Sequence, residues 1–199
     1  MEQNRVNIRI ANVEDAENIL KIYAPYIEKT AITFEYEVPC IEEFKERIRS
    51  TRHKYPYLVA EADGEITGYA YASAFKERSA YDWCVETSRY VDRDKKGMGI
   101  GKSLYRALEH ILKEQGILNL NACIASPVTE DEYLTKDSIR FHERLGYQMV
   151  AEFHQCGYKF HRWYDMVWME KHIGVHTGEA KPVKPFSEIE NSYETDRIF

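Results

Sequence analysis

The sequence is short of several features that would assign a function at once. Its four cysteines, Cys40, Cys84, Cys123 and Cys156, are far apart and make no CxxC pair, which argues against both a disulfide frame and a cysteine zinc site. No run of 18 apolar residues occurs, so no membrane span is expected. The opening MEQNRVNIRI has no apolar stretch of the signal-peptide kind; together with reduced thiols this points to the cytoplasm. Positive charge is not in excess either. A formal net charge of −6 argues against DNA or RNA as the main partner, because binding a phosphate backbone needs a basic face. Internal repeats and low-complexity tracts are also missing.

What remains is an ordinary globular composition, and 199 residues are enough for one domain with a sizeable core and a tail. VNIRIA (6–11) alternates like a strand. Asn12 can cap a helix in which Ala16, Ile19, Leu20, Ile22 and Tyr23 recur at helical spacing, and Pro25 predicts a break or kink near Ala24. TAITFEYEVP reads as a loop or short extended piece, and Ile41, Phe44 and Ile48 mark a second helix. YLVAEAD and EITGYAYASAF flank Asp63-Gly64, a hairpin signal. AYDWCVETSRYV (80–91) reads as a strand, followed by a glycine loop and a helix from Ile100 to Gln115 that Gly116 stops. LNLNACIAS is a strand, SPVTEDEYLTK a polar loop, and DSIRFHERL a short helix ended by Gly146. YQMVAEFHQC and KFHRWYDMVWMEKH form a last strand pair around Gly157, its aromatic run assigned to core or a dimer face.

The order β-α-α-β-β-β-α-β-α-β-β describes an α/β domain over 1–173, with one central mixed, mostly antiparallel sheet flanked by helices. Residues 174–199 are polar, contain Pro182 and Pro185, and read as a tail that is extended or docked on a neighbour.

The glycine loop GMGIGKS is not that of a nucleotide triphosphatase. Counting back from Gly101-Lys102-Ser103, the first glycine of that motif would fall on Lys96. LNLNACIAS also ends without an Asp for magnesium. The dinucleotide fingerprint fails too, because the glycines fall at 97, 99 and 101. Glycines ahead of a helix still let amides approach an anion, and the helix dipole adds about half a positive charge there. Lys95, Lys96 and Lys102 add side-chain charge. The other reading is a tight strand-to-helix turn with solvated lysines.

Lys96-Gly97-Met98-Gly99-Ile100-Gly101 resembles the Gln/Arg-x-x-Gly-x-Gly/Ala loop of the GNAT N-acetyltransferases, with Lys96 where Gln or Arg is usual. SIRFHERLGY (138–147) is similar to that family's later Ser-x-x-x-His/Tyr-x-x-x-Gly-Phe/Tyr segment. YPYLVAEADGEITGYAYASAFKERSAYDW, with TFEYEVP upstream, resembles the phosphinothricin and methionine sulfoximine acetyltransferase branch.

The resemblance implies the GNAT acyl-CoA N-acyltransferase fold, acetyl-CoA as co-substrate, no metal, a small-molecule amine substrate and a homodimer. It places the loop from Lys96 through Gly97, Met98, Gly99, Ile100 and Gly101 to Lys102 around the coenzyme's pyrophosphate. Main-chain groups of Tyr90 and Val91, with Thr135 (where the family has Asn) and Ser138, would meet the coenzyme's arm. Glu86 takes the general base's position; by alternation it shares a strand face with Cys84, Ser88 and Tyr90. His142, one helical turn after Ser138, is implied as general acid or thiolate partner. Lys76, Arg78 and Tyr81 would grip the anionic end of an amino-acid-like substrate, and Phe34 would line its pocket. Direct attack is expected, since neither Cys84 nor Cys123 sits beside an obvious His partner. His154, His161 and His172 lack ligand spacing for a metal. The rivals are a protein or peptide N-acetyltransferase and a non-catalytic acetyl-CoA-binding regulatory module.

Overall fold

In the computed structural model, residues 6–95 and 97–193 are described. Lys96, assigned to the pyrophosphate loop, lies outside the described residues. Seven strands form one sheet in the order β1-β2-β3-β4-β5-β7-β6. They are β1 (Asn7–Ile10), β2 (Tyr57–Ala62), β3 (Glu65–Ala74), β4 (Cys84–Val91), β5 (Asn119–Ser126), β6 (Gln148–Lys159) and β7 (Arg162–His172). The helices are α1 (Ala16–Lys29), α2 (Ile41–Lys54), α3 (Ile100–Gln115), α4 (Asp137–Arg144) and the short α5 (Phe186–Ile189). The expected element order and mixed, mostly antiparallel sheet are therefore present. Every neighbouring pair is antiparallel except β4 and β5. No helix among the described residues is long and apolar enough to cross a membrane.

Strand alternation divides the core into two layers. Leu58, Ala60, Ala70 and Val85 pack with Leu104, Leu108 and Ile111 of α3. On the other face, Tyr57, Val59 and Tyr69 pack with Ile19, Tyr23, Phe44 and Ile48 of α1 and α2. α3 is amphipathic by spacing, with Ile100, Leu104, Ala107, Leu108 and Ile111 buried. It ends at Gly116, whose φ of 94° suits the left-handed cap.

The structure corrects three local expectations. Helix α1 continues through Pro25 to Lys29; the proline removes one N–H, but Tyr23, Tyr26 and Ile27 on either side are buried and hold the helix to the core. The strand expected over 80–91 begins only at Cys84, because Ser79–Tyr81 forms a 3-10 turn in which the Tyr81 amide donates to the Arg78 carbonyl at 2.8 Å. The β6–β7 hairpin turns at Phe160 and His161, both at positive φ (50° and 60°), rather than at Gly157. Gly157 sits inside β6 instead, where the Phe34 ring occupies the space a Cβ would need.

The segment after Gly174 folds back onto its own chain. Phe186 is fully buried in the α3 layer. The Trp83 indole N–H donates to the Lys181 carbonyl (2.7 Å), and the Gln115 amide donates to the Lys184 carbonyl (2.7 Å).

Candidate active site

The β4–β5 ladder is only three residues long: Cys84 pairs with Asn119, Val85 with Leu120 and Glu86 with Asn121. Beyond that point the rest of β4 pairs with β3, and the rest of β5 pairs with β7. The two strands therefore part in mid-sheet. A small cavity of about 60 Å³ occupies the parting, lined by Thr87, Ser88, Ala122, Cys123, Ser138 and His142. Glu86 is the last paired residue before it.

On the α3 side, the gap opens toward a cleft of about 490 Å³. One wall is Val91, Gly97, Gly99, Ile100, Gly101 and Lys102; the other is Ser138, Arg140, Phe141 and Arg144. Gly97 and Gly99 have φ of 85° and 80°, a region where a side chain would be strained. The first amide inside α3 to reach a helical acceptor is that of Ser103, at 3.0 Å from the Gly99 carbonyl. The amides of Ile100, Gly101 and Lys102 thus precede the helical ladder and meet the cleft with the positive end of the dipole. Lys95 and Lys102 line it as well. This donor set suits a diphosphate.

Thr135 is exposed and its hydroxyl accepts from the Asp137 amide at 3.4 Å, shaping the entry to α4. The Val91 carbonyl already accepts from the Tyr26 hydroxyl. The Tyr90 ring packs on the opposite layer, 4.8 Å from Tyr23 and 5.1 Å from Tyr26 between centroids. Met98 is exposed at the loop tip.

His142 is buried, and both ring nitrogens are engaged. Nδ1 lies 2.7 Å from the Ser138 carbonyl and Nε2 lies 3.1 Å from the Tyr105 hydroxyl. A carbonyl only accepts, so Nδ1 carries the proton and Nε2 accepts from Tyr105. Burial pulls the imidazole down to about 4. At neutral pH it is uncharged, with no free N–H directed at the gap. Beside it, the Thr87 hydroxyl donates to the Asn121 carbonyl at 3.1 Å.

Glu86 is partly buried on the opposite face of the sheet, across from Ser73. Burial raises its carboxyl above the usual range, and the nearby Lys76 ammonium partly offsets this. The same face carries a cavity of about 930 Å³ lined by Lys76, Tyr81, Cys84, Asn121, Trp168 and Glu170, with residues 175–177 and 179–181 as a further wall. Lys76 reaches over the rings of Phe75 (5.1 Å) and Trp168 (5.9 Å). Arg78 is exposed and does not line this cavity, and Phe34 packs against Tyr164 and Gly157. Cys123 is an exposed residue, yet partial desolvation of its thiol, with the Glu86 charge adding, pushes it up to about 12 and makes it a poor nucleophile. Glu152, His154 and Asp165 bring ligand atoms within 4.8 Å of one another, but Glu152 and His154 are exposed and Asp165 accepts from the Gln155 amide.

Sequence reading overlooked Tyr105, Asn121 and Arg89. For Arg89 a signal existed: it interrupts the inward series Val85, Thr87, Val91.

Comparison with known proteins gives concordant matches. A family model described as Acetyltransferase (GNAT) domain matches residues 8–168. The chain is 32% identical over 188 residues to phosphinothricin N-acetyltransferase of Streptomyces viridochromogenes, covering 94% of this chain and 98% of that one. It is 34% identical over 169 residues to L-methionine sulfoximine/L-methionine sulfone acetyltransferase of Pseudomonas aeruginosa, covering 84% and 94%. A solved phosphinothricin acetyltransferase from Sinorhizobium meliloti, in complex with AcCoA, superposes with a TM-score of 0.80 at 30% identity, covering 91% of this chain and 98% of that one.

Proposed function

The chain belongs to the GNAT acetyltransferases, and from that premise we propose that it moves the acetyl group of acetyl-CoA to the α-amine of a small amino-acid-like molecule of the phosphinothricin or methionine sulfoximine type. The observation that carries this reading is the parting of β4 from β5 immediately after Glu86. The small cavity in that parting adjoins the α3-side cleft, suited to a diphosphate, through Arg89 and Ser138, while Lys76 and Tyr81 line the separate cavity on the other face.

An alkyl amine with a pKa near 10 arrives protonated and must lose a proton before it can attack. Glu86, its carboxyl raised by burial, takes that proton directly or through one water. The amine nitrogen then bonds to the thioester carbon. When the tetrahedral adduct collapses, the C–S bond breaks and the sulfur leaves with the electron pair. Main-chain amides of β4 facing the gap stabilise the oxyanion. The acylated nitrogen gives up its second proton and the departing thiolate takes one up, both through water in the parting. His142, neutral and with both ring nitrogens engaged by Ser138 and Tyr105, shapes that pocket rather than acting as a charged acid. The Lys76 ammonium supplies the charge for a substrate carboxylate or phosphinate. The exposed row Met149, Val150, Phe153, Tyr158 and Trp163 is read as a homodimer face.

The test is release of free CoA thiol across a panel of amino acids, phosphinothricin and methionine sulfoximine. Turnover of at least one α-amine supports the proposal. Turnover confined to lysine side chains of peptides would favour a protein acetyltransferase. Binding of acetyl-CoA without turnover of any amine would favour a regulatory module.

A further inference from the structure

Val85, Thr87, Arg89 and Val91 alternate onto the face of β4 that α3 and α4 cover. Val85 and Val91 join the apolar core there. Arg89 instead places a guanidinium among apolar neighbours. Its Nε is buried and has no hydrogen-bond partner. Its Cζ lies 4.0 Å from the centroid of the Phe141 ring. The titratable groups that act on it favourably are the phenols of Tyr105, Tyr26 and Tyr90, which burial keeps uncharged at neutral pH, and no carboxylate is among them. Asp137, the one acid among the described residues that line the cleft, is paired with Arg140 at 3.2 Å.

The position of the guanidinium is as telling as its lack of a partner. A Cβ added at Gly101, in the first turn of α3, would collide with it. The side chain therefore reaches the same helix end whose amides precede the helical ladder, on the floor of the 490 Å³ cleft. Arg89 is partly buried, with its Nε fully so; a cation drawn out of water is normally paired, and stacking on Phe141 recovers only part of that cost. Among the described residues, none supplies the anion that would complete this site.

We propose that Arg89 is a side-chain ligand of the coenzyme's diphosphate, kept unpaired in the free protein for that anion. This rests on the acetyl-CoA reading above. The fork of a guanidinium can give two parallel N–H bonds to phosphate oxygens, whereas the amide-and-thioester arm of the coenzyme is neutral and offers no countercharge. Arg89 thus destabilises the empty protein and stabilises the loaded one, two effects a purely structural arginine would not combine.

The experiment compares the wild type with Arg89→Met and Arg89→Lys. Thermal melting is followed without ligand, with CoA and with inorganic pyrophosphate, and KM is measured for acetyl-CoA and for S-acetylpantetheine, which lacks the diphosphate. The Met variant should melt at the wild-type temperature or above it when empty. It should lose roughly tenfold to a hundredfold in CoA affinity, the range for a charged hydrogen-bonding partner, and most of the pyrophosphate-induced shift in melting. Its KM for S-acetylpantetheine should stay within about twofold of wild type, and the Lys variant should fall between. Equal losses with both donors, a lower empty melting temperature, or unchanged CoA affinity would each overturn the assignment. If the wild type turns over but Arg89→Met loses nothing, only Arg89's role falls. If the wild type binds no CoA, the acetyl-CoA reading falls with it.

Discussion

Acidification singles out His142. In an unfolded chain its imidazole titrates near 6.5, while burial holds it at about 4 in the folded protein, with the Arg89 charge adding to the depression and the Ser138 carbonyl opposing it. The unfolded chain therefore binds this proton more tightly. The stability contributed by neutral His142 is complete above pH 6.5 and drains away as the pH falls through about 4. At 1.36 kcal/mol for each pH unit, that interval corresponds to roughly 3 kcal/mol, a large share of the ~5–15 kcal/mol by which domains are stable. Urea unfolding of the wild type and His142→Gln at pH 7 and pH 4 isolates the effect, because the carboxylates Glu109 and Asp131, both depressed by their ion pairs, titrate alike in the two proteins. The wild type should lose about 3 kcal/mol more than the variant over this range. Equal losses, or a ring proton resonance of His142 titrating near 6.5, would refute the buried neutral imidazole and restore a charged acid at this position.

Glu86→Gln should cut kcat by roughly 10²- to 10⁴-fold and flatten the acid limb of the pH–rate profile. That limb should sit above the ordinary carboxylate range, since burial raises this group. Because an ionised carboxylate there costs folding free energy above its raised folded pKa, the Gln variant should be no less stable than wild type at pH 7 by differential scanning calorimetry. Retained wild-type turnover would remove Glu86 as base. Phe186→Ala should destabilise by about 3–5 kcal/mol, because that ring is fully buried in the α3 layer; a loss below about 1 kcal/mol in urea unfolding would mean that the C-terminal segment is only loosely attached.

Much of the fold was legible because periodicity and punctuation agreed. Ile100, Leu104, Leu108 and Ile111 state a helix, Gly116 states its end, and Asp63-Gly64 states a hairpin. The misses share one cause, tertiary packing outweighing a local signal. Pro25 is carried by buried neighbours, Gly157 serves a ring 123 residues away in sequence rather than a turn, and Phe186 draws a polar segment onto the core. The place of Glu86 on β4, ahead of the glycine loop, was legible. The engagement of both His142 nitrogens, the cover of Arg89 by Phe141 and the exposure of Thr135 depend on how α3, α4 and the loop between them meet, which no local pattern encodes. Arg78 was expected from the resemblance of FKERSAYDW to the acetyltransferase branch, and a motif does not say which way an exposed loop faces.

The most direct measurement is the structure of the protein crystallised with acetyl-CoA and solved by X-ray diffraction. The expected result is a diphosphate held by the main chain between Gly97 and Lys102, with the acetyl thioester lying in the parting of β4 and β5 beside the Glu86 carboxylate. A diphosphate seated elsewhere, or a thioester on the far side of the sheet from Glu86, would contradict the account.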